Sequence, residues 1–205
     1  MNRCVFNDKN PRPEVVIEQA RGANVEYLQA VCDKVQRVST IRSRVERWSP
    51  PPPSVFKINW DEAFKSSCSL AAFGIIARDS GGSAHDWRCG RVIVSSTLMI
   101  EAWALRIACC MAKEQSIPEA IFESDCKTLI DCFNKPKVKC PWEIATVVAD
   151  IEGWAKSRNW SFSWRSRASD KVAHWIASWC IDRKILFHTG CIPPELHSIL
   201  YSDLL

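Results

Sequence analysis

Three carboxylates in this chain stand where a folded protein has little structural use for them. Asp61 ends an apolar, β-branched and aromatic run, Val55-Phe56-Lys57-Ile58-Asn59-Trp60, whose length favours a strand. Glu101 lies inside Leu98 to Met111, a stretch apolar almost all round. The residues three, four and seven positions beyond it are Ala104, Leu105 and Ala108, so its carboxylate shares the face that must be buried. Asp125 follows Ala120-Ile121-Phe122-Glu123-Ser124, a second run of strand length. A buried acid is costly unless it is paired, hydrogen-bonded or bound to a metal. Brought together, three carboxylates raise one another's pKa until cations neutralise them. Hard oxygen donors with open positions suit Mg²⁺ or Mn²⁺, and two such ions about 4 Å apart activate water and stabilise the leaving oxygen in phosphodiester cleavage. Taken singly, each acid has a plainer use: Asp61 as a turn cap, Asp125 as the N-cap of the next helix, Glu101 as the partner of a buried arginine.

The elements needed to gather these acids follow from the patterning. Leu70 to Arg78 is a second strand, Asp79-Ser80-Gly81-Gly82 a turn, and Ser83 to Cys89 a third strand, which makes an antiparallel meander. From Ser96 the period changes to that of a helix, which Pro118 stops, and Ala120 to Ser124 is the fourth strand. Thr128 to Phe133 and Trp142 to Lys156 read as helices around the basic loop Lys135-Pro136-Lys137-Val138-Lys139. Asn159 to Arg165 alternates Trp160, Phe162 and Trp164 with polar residues as a fifth strand, and Ser169-Asp170 caps a last helix through Ala173, Ile176 and Cys180. A parallel strand reached by a crossover lies beside its predecessor, so the first and fourth strands can set Asp61 against Asp125 while the covering helix aims Glu101 at both.

Around that region the chain divides. Residues 1–49 form an N-terminal helical extension, in which Leu28, Val31, Val35 and Val38 make a seam too short for a coiled coil. Residues 50–54 are a stiff linker opened by four prolines, 55–182 the α/β domain and 183–205 a tail whose apolar Leu196, Ile199, Leu200 and Leu204 dock on its surface. The helix over 13–47 is a candidate for a protein partner. Eleven cysteines, scattered and without a Cys-x-x-Cys pair, give neither a disulfide framework nor a zinc ribbon. Cys180, His188, Cys191 and His197 match no metal pattern and are read as packing. Of ten tryptophans, Trp103, Trp154, Trp164, Trp175 and Trp179 are expected in the core. The net charge of +4 is too modest for a strongly basic nucleic-acid binder. No apolar run approaches the ~18 residues of a membrane helix, and Met1-Asn2-Arg3-Cys4 opens no signal peptide. The expectation is an intracellular protein, nuclear or cytoplasmic, without a membrane partner.

The series Lys57-Ile58-Asn59-Trp60-Asp61-Glu62-Ala63-Phe64, Gly74-Ile75-Ile76-Ala77-Arg78-Asp79, Glu101-Ala102-Trp103-Ala104-Leu105, Glu123-Ser124-Asp125 and Lys171-Val172-Ala173-His174 resembles the ribonuclease H type 1 domains abundant in plant genomes, relatives of the C-terminal part of non-LTR retrotransposon reverse transcriptases. The likeness spans roughly 55–182. It implies a ribonuclease H-like α/β fold with a five-stranded mixed sheet, order 3-2-1-4-5, and helices on both faces. It further implies a Mg²⁺-dependent endonuclease that cuts the RNA strand of RNA–DNA hybrids, with Asp61, Glu101 and Asp125 as catalytic metal ligands.

Three positions depart from that family pattern. Glu62 stands where a glycine usually follows the first aspartate. His174 replaces the fourth carboxylate; imidazole is a poorer Mg²⁺ ligand, though it can bind Mn²⁺ or hold a water, and Asp170 four residues earlier is better suited to capping. Trp164 falls where the family carries a mobile histidine. Arg165, Arg167 and Lys171 are the candidate nucleic-acid contacts beside the site, with a solvated basic surface as their ordinary meaning. The alternatives to a nuclease are a member that binds hybrid or structured RNA without cutting it, and an interaction module served by the helix over 13–47.

Overall fold

The computed structural model describes residues 47–65, 70–94, 96–169 and 171–204; the helix expected over 13–47 lies outside them except for Arg47. β1 (Phe56–Lys65) pairs antiparallel with β2 (Leu70–Arg78), and β2 pairs antiparallel with β3 (Ala84–Ile93). The turn between β2 and β3 closes on Asp79, whose carboxylate accepts from the amides of Gly81 and Ser83, while Gly82 takes a φ of 80°, a conformation glycine adopts without a Cβ penalty. α1 (Thr97–Glu114) starts at Ser96, whose hydroxyl accepts from the Met99 amide at 3.2 Å. It leads to β4 (Glu119–Ser124), α2 (Lys127–Asn134), α3 (Ala145–Ala155) and β5 (Asn159–Trp164). A 3₁₀ turn (Arg167–Ser169) precedes α4 (Lys171–Asp182), and the chain closes with β6 (Phe187–Thr189) and α5 (Pro194–Leu204).

The sheet has six strands in the order β5-β4-β1-β2-β3-β6, one more than expected. The first five keep the expected order 3-2-1-4-5, and β6 adds to the free edge of β3 through Arg88↔Thr189, Cys89↔His188 and Gly90↔Phe187. Three residues are too few to show a period, which is why the pattern missed this strand. β1 pairs with β4, and β4 with β5, in parallel.

Alternation along β1 sorts the two cores. Ile58 and Trp60 join Phe73, Ile75, Leu105 and Phe122 beneath α1 and α3. On the opposite face Ala72, Ile76 and Trp87 meet Val172 and Ile176 of α4 and Leu196 and Leu200 of α5. Lys57, Asn59 and Asp61, one residue out of phase with the apolar set, are buried too, so this face of β1 is polar from Lys57 to Asp61. The deeply buried tryptophans are Trp48, Trp60, Trp87 and Trp160, whereas Trp103 and Trp164 are more than two-fifths exposed. That corrects the expected core: α1 presents Trp103 outward, and β5 lies at the sheet's edge, where Trp164 faces solvent. No described helix is long and apolar enough to cross a membrane.

Candidate active site at the carboxyl ends of the central strands

β1 does not stop at Asp61. It runs four residues further because β2 continues to pair with it, with Asp61 opposite Gly74 and Lys65 opposite Leu70. Its pairing with β4, however, ends at Asn59↔Glu123. Beyond that point one edge of β1 is open, and the chain leaves β4 through Asp125. Crevices of this kind, outside the carboxyl ends of parallel strands, are where open α/β sheets bind ligands.

Four carboxylates line it. Asp61 is 2% and Glu101 4% exposed. The oxygens of Asp61, Glu62 and Glu101 all lie within 4.8 Å of one another, the sole group of three or more metal-capable side chains at such spacing among the described residues. Glu101 Oε2 accepts from the Trp60 indole at 2.8 Å and from the Ser124 hydroxyl at 3.4 Å. The Glu62 amide donates to Asp61 Oδ1 at 2.8 Å, which turns the Asp61 carboxylate along the strand toward its neighbour. Asp125, half-buried, stands outside the tight group and joins it through Arg167: the guanidinium lies 3.9 Å from Asp125 Oδ2 and 3.9 Å from Asp61 Oδ2. The N-cap of α2 is Cys126 with no side-chain bond, so Asp125 does not spend its carboxylate on capping. Its backbone carbonyl accepts from the Trp164 indole at 3.0 Å.

His174, on α4, faces the same crevice with Nδ1 2.7 Å from Asp61 Oδ2 and 3.3 Å from Arg167 Nη2. Since the guanidinium only donates, a single Nδ1 either accepts from Arg167 or donates to Asp61, according to its tautomer. Electrostatics follow from burial and crowding. Burial, with Glu62 alongside, pushes the Asp61 carboxyl up to about 8. Burial and then Glu62, Asp61 and Asp125 raise Glu101 well above the carboxylate range. Asp125 is raised by burial against the opposing pull of Arg167, and His174 is lowered by burial and by Arg167. Acids that burial and crowding keep protonated are acids that a bound cation would discharge of their protons.

A family model for reverse transcriptase-like proteins matches residues 59–180. The chain belongs to the reverse transcriptase-like family. No curated protein matches it. Among solved structures, RNase H1 from the halophilic archaeon Halobacterium salinarum NRC-1 superposes with a TM-score of 0.58 at 15% identity, covering 63% of this chain and 98% of that one. The N-terminal RNase H domain from Mycobacterium tuberculosis gives 0.57 at 16%, covering 63% and 94%. LC11-RNase H1 in complex with an RNA/DNA hybrid gives 0.56 at 17%, covering 63% and 99%. At these identities the likeness is one of fold, and the fold is that of ribonuclease H.

Within this reverse transcriptase-like domain the residues singled out from sequence do not all gather. Asp61 and Glu101 meet, with Asp125 and His174 beside them. Arg167 is in the site, but aimed at carboxylates. Arg165 instead pairs at 3.3 Å with Glu123, which Lys57 also contacts at 3.1 Å. Lys171 borders a separate cavity of about 270 Å³ with Arg47, Ala168, Ser202 and Asp203. Asp170 lies outside the described residues. Cys180, His188, Cys191 and His197 form no ligand group among those described. Sequence reasoning missed Glu62 as a site residue. Strand alternation gave no signal for it, since adjacent residues are sent to opposite faces.

Proposed function

We propose that this chain is a divalent-metal-dependent nuclease that cleaves the RNA strand of RNA–DNA hybrids. The observation that carries the reading is the convergence of the Asp61, Glu62 and Glu101 oxygens within 4.8 Å in the crevice where β1 parts from β4. Crowded hard-oxygen donors with raised pKa values fit Mg²⁺ or Mn²⁺. Asp61, Glu62 and Glu101 are the residues that would hold it, with Asp125 the further carboxylate beside them. The bound cation would supply Lewis-acid polarisation of the scissile phosphate and a more acidic water. The Trp60 indole and the Ser124 hydroxyl fix Glu101 from behind, and His174 fixes Asp61. The solved ribonuclease H1 in complex with RNA/DNA hybrid supports a hybrid as substrate. Exposed Arg165 and Lys171, which lie outside the carboxylate cluster, are the proposed backbone contacts for a hybrid that extends beyond it.

A hybrid-binding domain that does not cut is the second reading, and it is favoured by His174 and Arg167 standing among the carboxylates. One experiment separates the two. An end-labelled RNA–DNA hybrid is incubated with the full chain in Mg²⁺ or Mn²⁺, beside Asp61→Asn and Asp125→Asn. The nuclease reading expects metal-dependent loss of the RNA strand that Asp61→Asn reduces at least a hundredfold. An intact hybrid in both metals ends it, and retained binding by gel shift then supports the non-cutting domain.

A further inference from the structure

The acids of this site are not equally available to metal. Asp61, Glu62 and Glu101 share one small space. On the Asp125 side a cation is already present: the Arg167 guanidinium, 3.9 Å from both Asp61 Oδ2 and Asp125 Oδ2. Arginine is protonated at any working pH, so this charge is permanent. The separations exceed hydrogen-bonding length, placing the guanidinium between the two acids as a charge rather than as a bidentate clamp on either. Arg167 belongs to the 3₁₀ turn that leads into α4, and His174 of that helix stands 3.3 Å from it. An ion shared by Asp61 and Asp125 would have to enter against this guanidinium. Meanwhile Glu62, on the other side of Asp61, adds a carboxylate to the pair made with Glu101.

We propose that this domain holds one divalent ion, between Asp61, Glu62 and Glu101, and that the Arg167 guanidinium takes the place of a second ion between Asp61 and Asp125. The inference rests on the metal-dependent reading above and deepens it. Arg167 is a positioning and charge-balancing residue here, and its side chain is 59% exposed, so its replacement leaves the cores untouched.

Ion counting tests this without reference to turnover. The full chain is titrated with Mn²⁺ alone, with free Mn²⁺ followed by electron paramagnetic resonance and heat by calorimetry, beside Arg167→Ala and Arg167→Gln. Circular dichroism checks that both variants are folded. One ion per wild-type chain and two per chain in both variants is the expected result. Glu62→Gln is expected to weaken the single wild-type ion by about tenfold or more. Two ions on the wild type, or one still on both Arg167 variants, overturns the proposal while leaving a metal-dependent nuclease standing. No bound ion on the wild type overturns both readings together.

Discussion

Asp61 carries a cost of this site that pH can read. Its ordinary pKa of 3.8 is raised to about 8 by burial and by Glu62, so the folded chain keeps a proton that the unfolded chain releases. The stability this proton contributes is complete below pH 3.8 and is lost as pH rises through about 8. His174 works the other way, because a lowered imidazole pKa costs stability below its ordinary value of 6.5. The window between 6.5 and about 8 therefore isolates the acids. In chelator, urea unfolding is expected to show stability falling there by roughly 1.4 kcal/mol per pH unit for each such proton. Asp61→Asn, which mimics the protonated acid, is expected to flatten that slope by one proton, and stabilisation by Mn²⁺ to grow with pH over the same range. A wild type and Asp61→Asn with parallel profiles would sink this account. From the sequence, Asp61 and Glu101 are legible because each is an acid in a run otherwise apolar, and Asp125 because a strand delivers it. Glu62 is not legible, because regular alternation sends it to the face opposite Asp61. The two come together through a bond from the Glu62 amide to the Asp61 carboxylate, which no periodicity encodes. Arg167 presents the converse: its type suggests phosphate, and only the 3₁₀ turn directs it to carboxylates.

At the scale of elements, the order of strands and helices is legible because apolar runs and turn residues punctuate it. Their lengths are not. β1 and β3 each run four residues past the expected end, since pairing with β2 sustains strand where the side-chain pattern has faded. α3 begins three residues later than its amphipathic pattern suggests, leaving Trp142 90% exposed. What the pattern cannot show at all is how closely α4 approaches the sheet. It packs on β2 at Gly74, where a Cβ would fall 2.4 Å from the Ala173 carbonyl oxygen, 2.6 Å from the Ala177 nitrogen and 2.8 Å from Ile176 Cβ. Two of those neighbours are backbone and cannot turn aside, so a methyl group there moves the helix. His174 is the next residue along, and moving α4 moves its imidazole from Asp61. Gly74→Ala is expected to cost about 1–3 kcal/mol in urea unfolding and to return the His174 titration toward its ordinary value, followed by NMR of the imidazole protons. Wild-type stability in that variant would show that the helix yields without strain.

Across the whole molecule, the polar face of β1 is held by groups from both ends of the described chain. Trp48 is 5% exposed; its indole donates to Asn59 Oδ1 at 3.0 Å, and the Arg78 guanidinium lies over its ring at 3.8 Å. That arginine, fully buried, donates to Asn59 Oδ1 at 3.2 Å and to Asp203 Oδ2 of α5 at 3.0 Å. Removing one partner of a buried ion pair leaves the other to bear its desolvation, so the pair contributes to holding α5 in place. α5 is thus tied in by a charge as well as by Leu196 and Leu200, although its sequence shows only a short apolar pattern with one aspartate near the end. Asp203→Ala is expected to lose about 1–3 kcal/mol, Asp203→Asn less because an amide oxygen can still accept, and Ser202→Ala, on an exposed neighbour, close to nothing. The carboxylates near Asp61 are not part of this network, so the folded Asp203→Ala chain should bind as many Mn²⁺ ions as the wild type. A stability loss below about 1 kcal/mol would mean that the Arg78–Asp203 pair only balances its own desolvation. The apolar contacts of Leu196 and Leu200 would then be what hold α5 against α4.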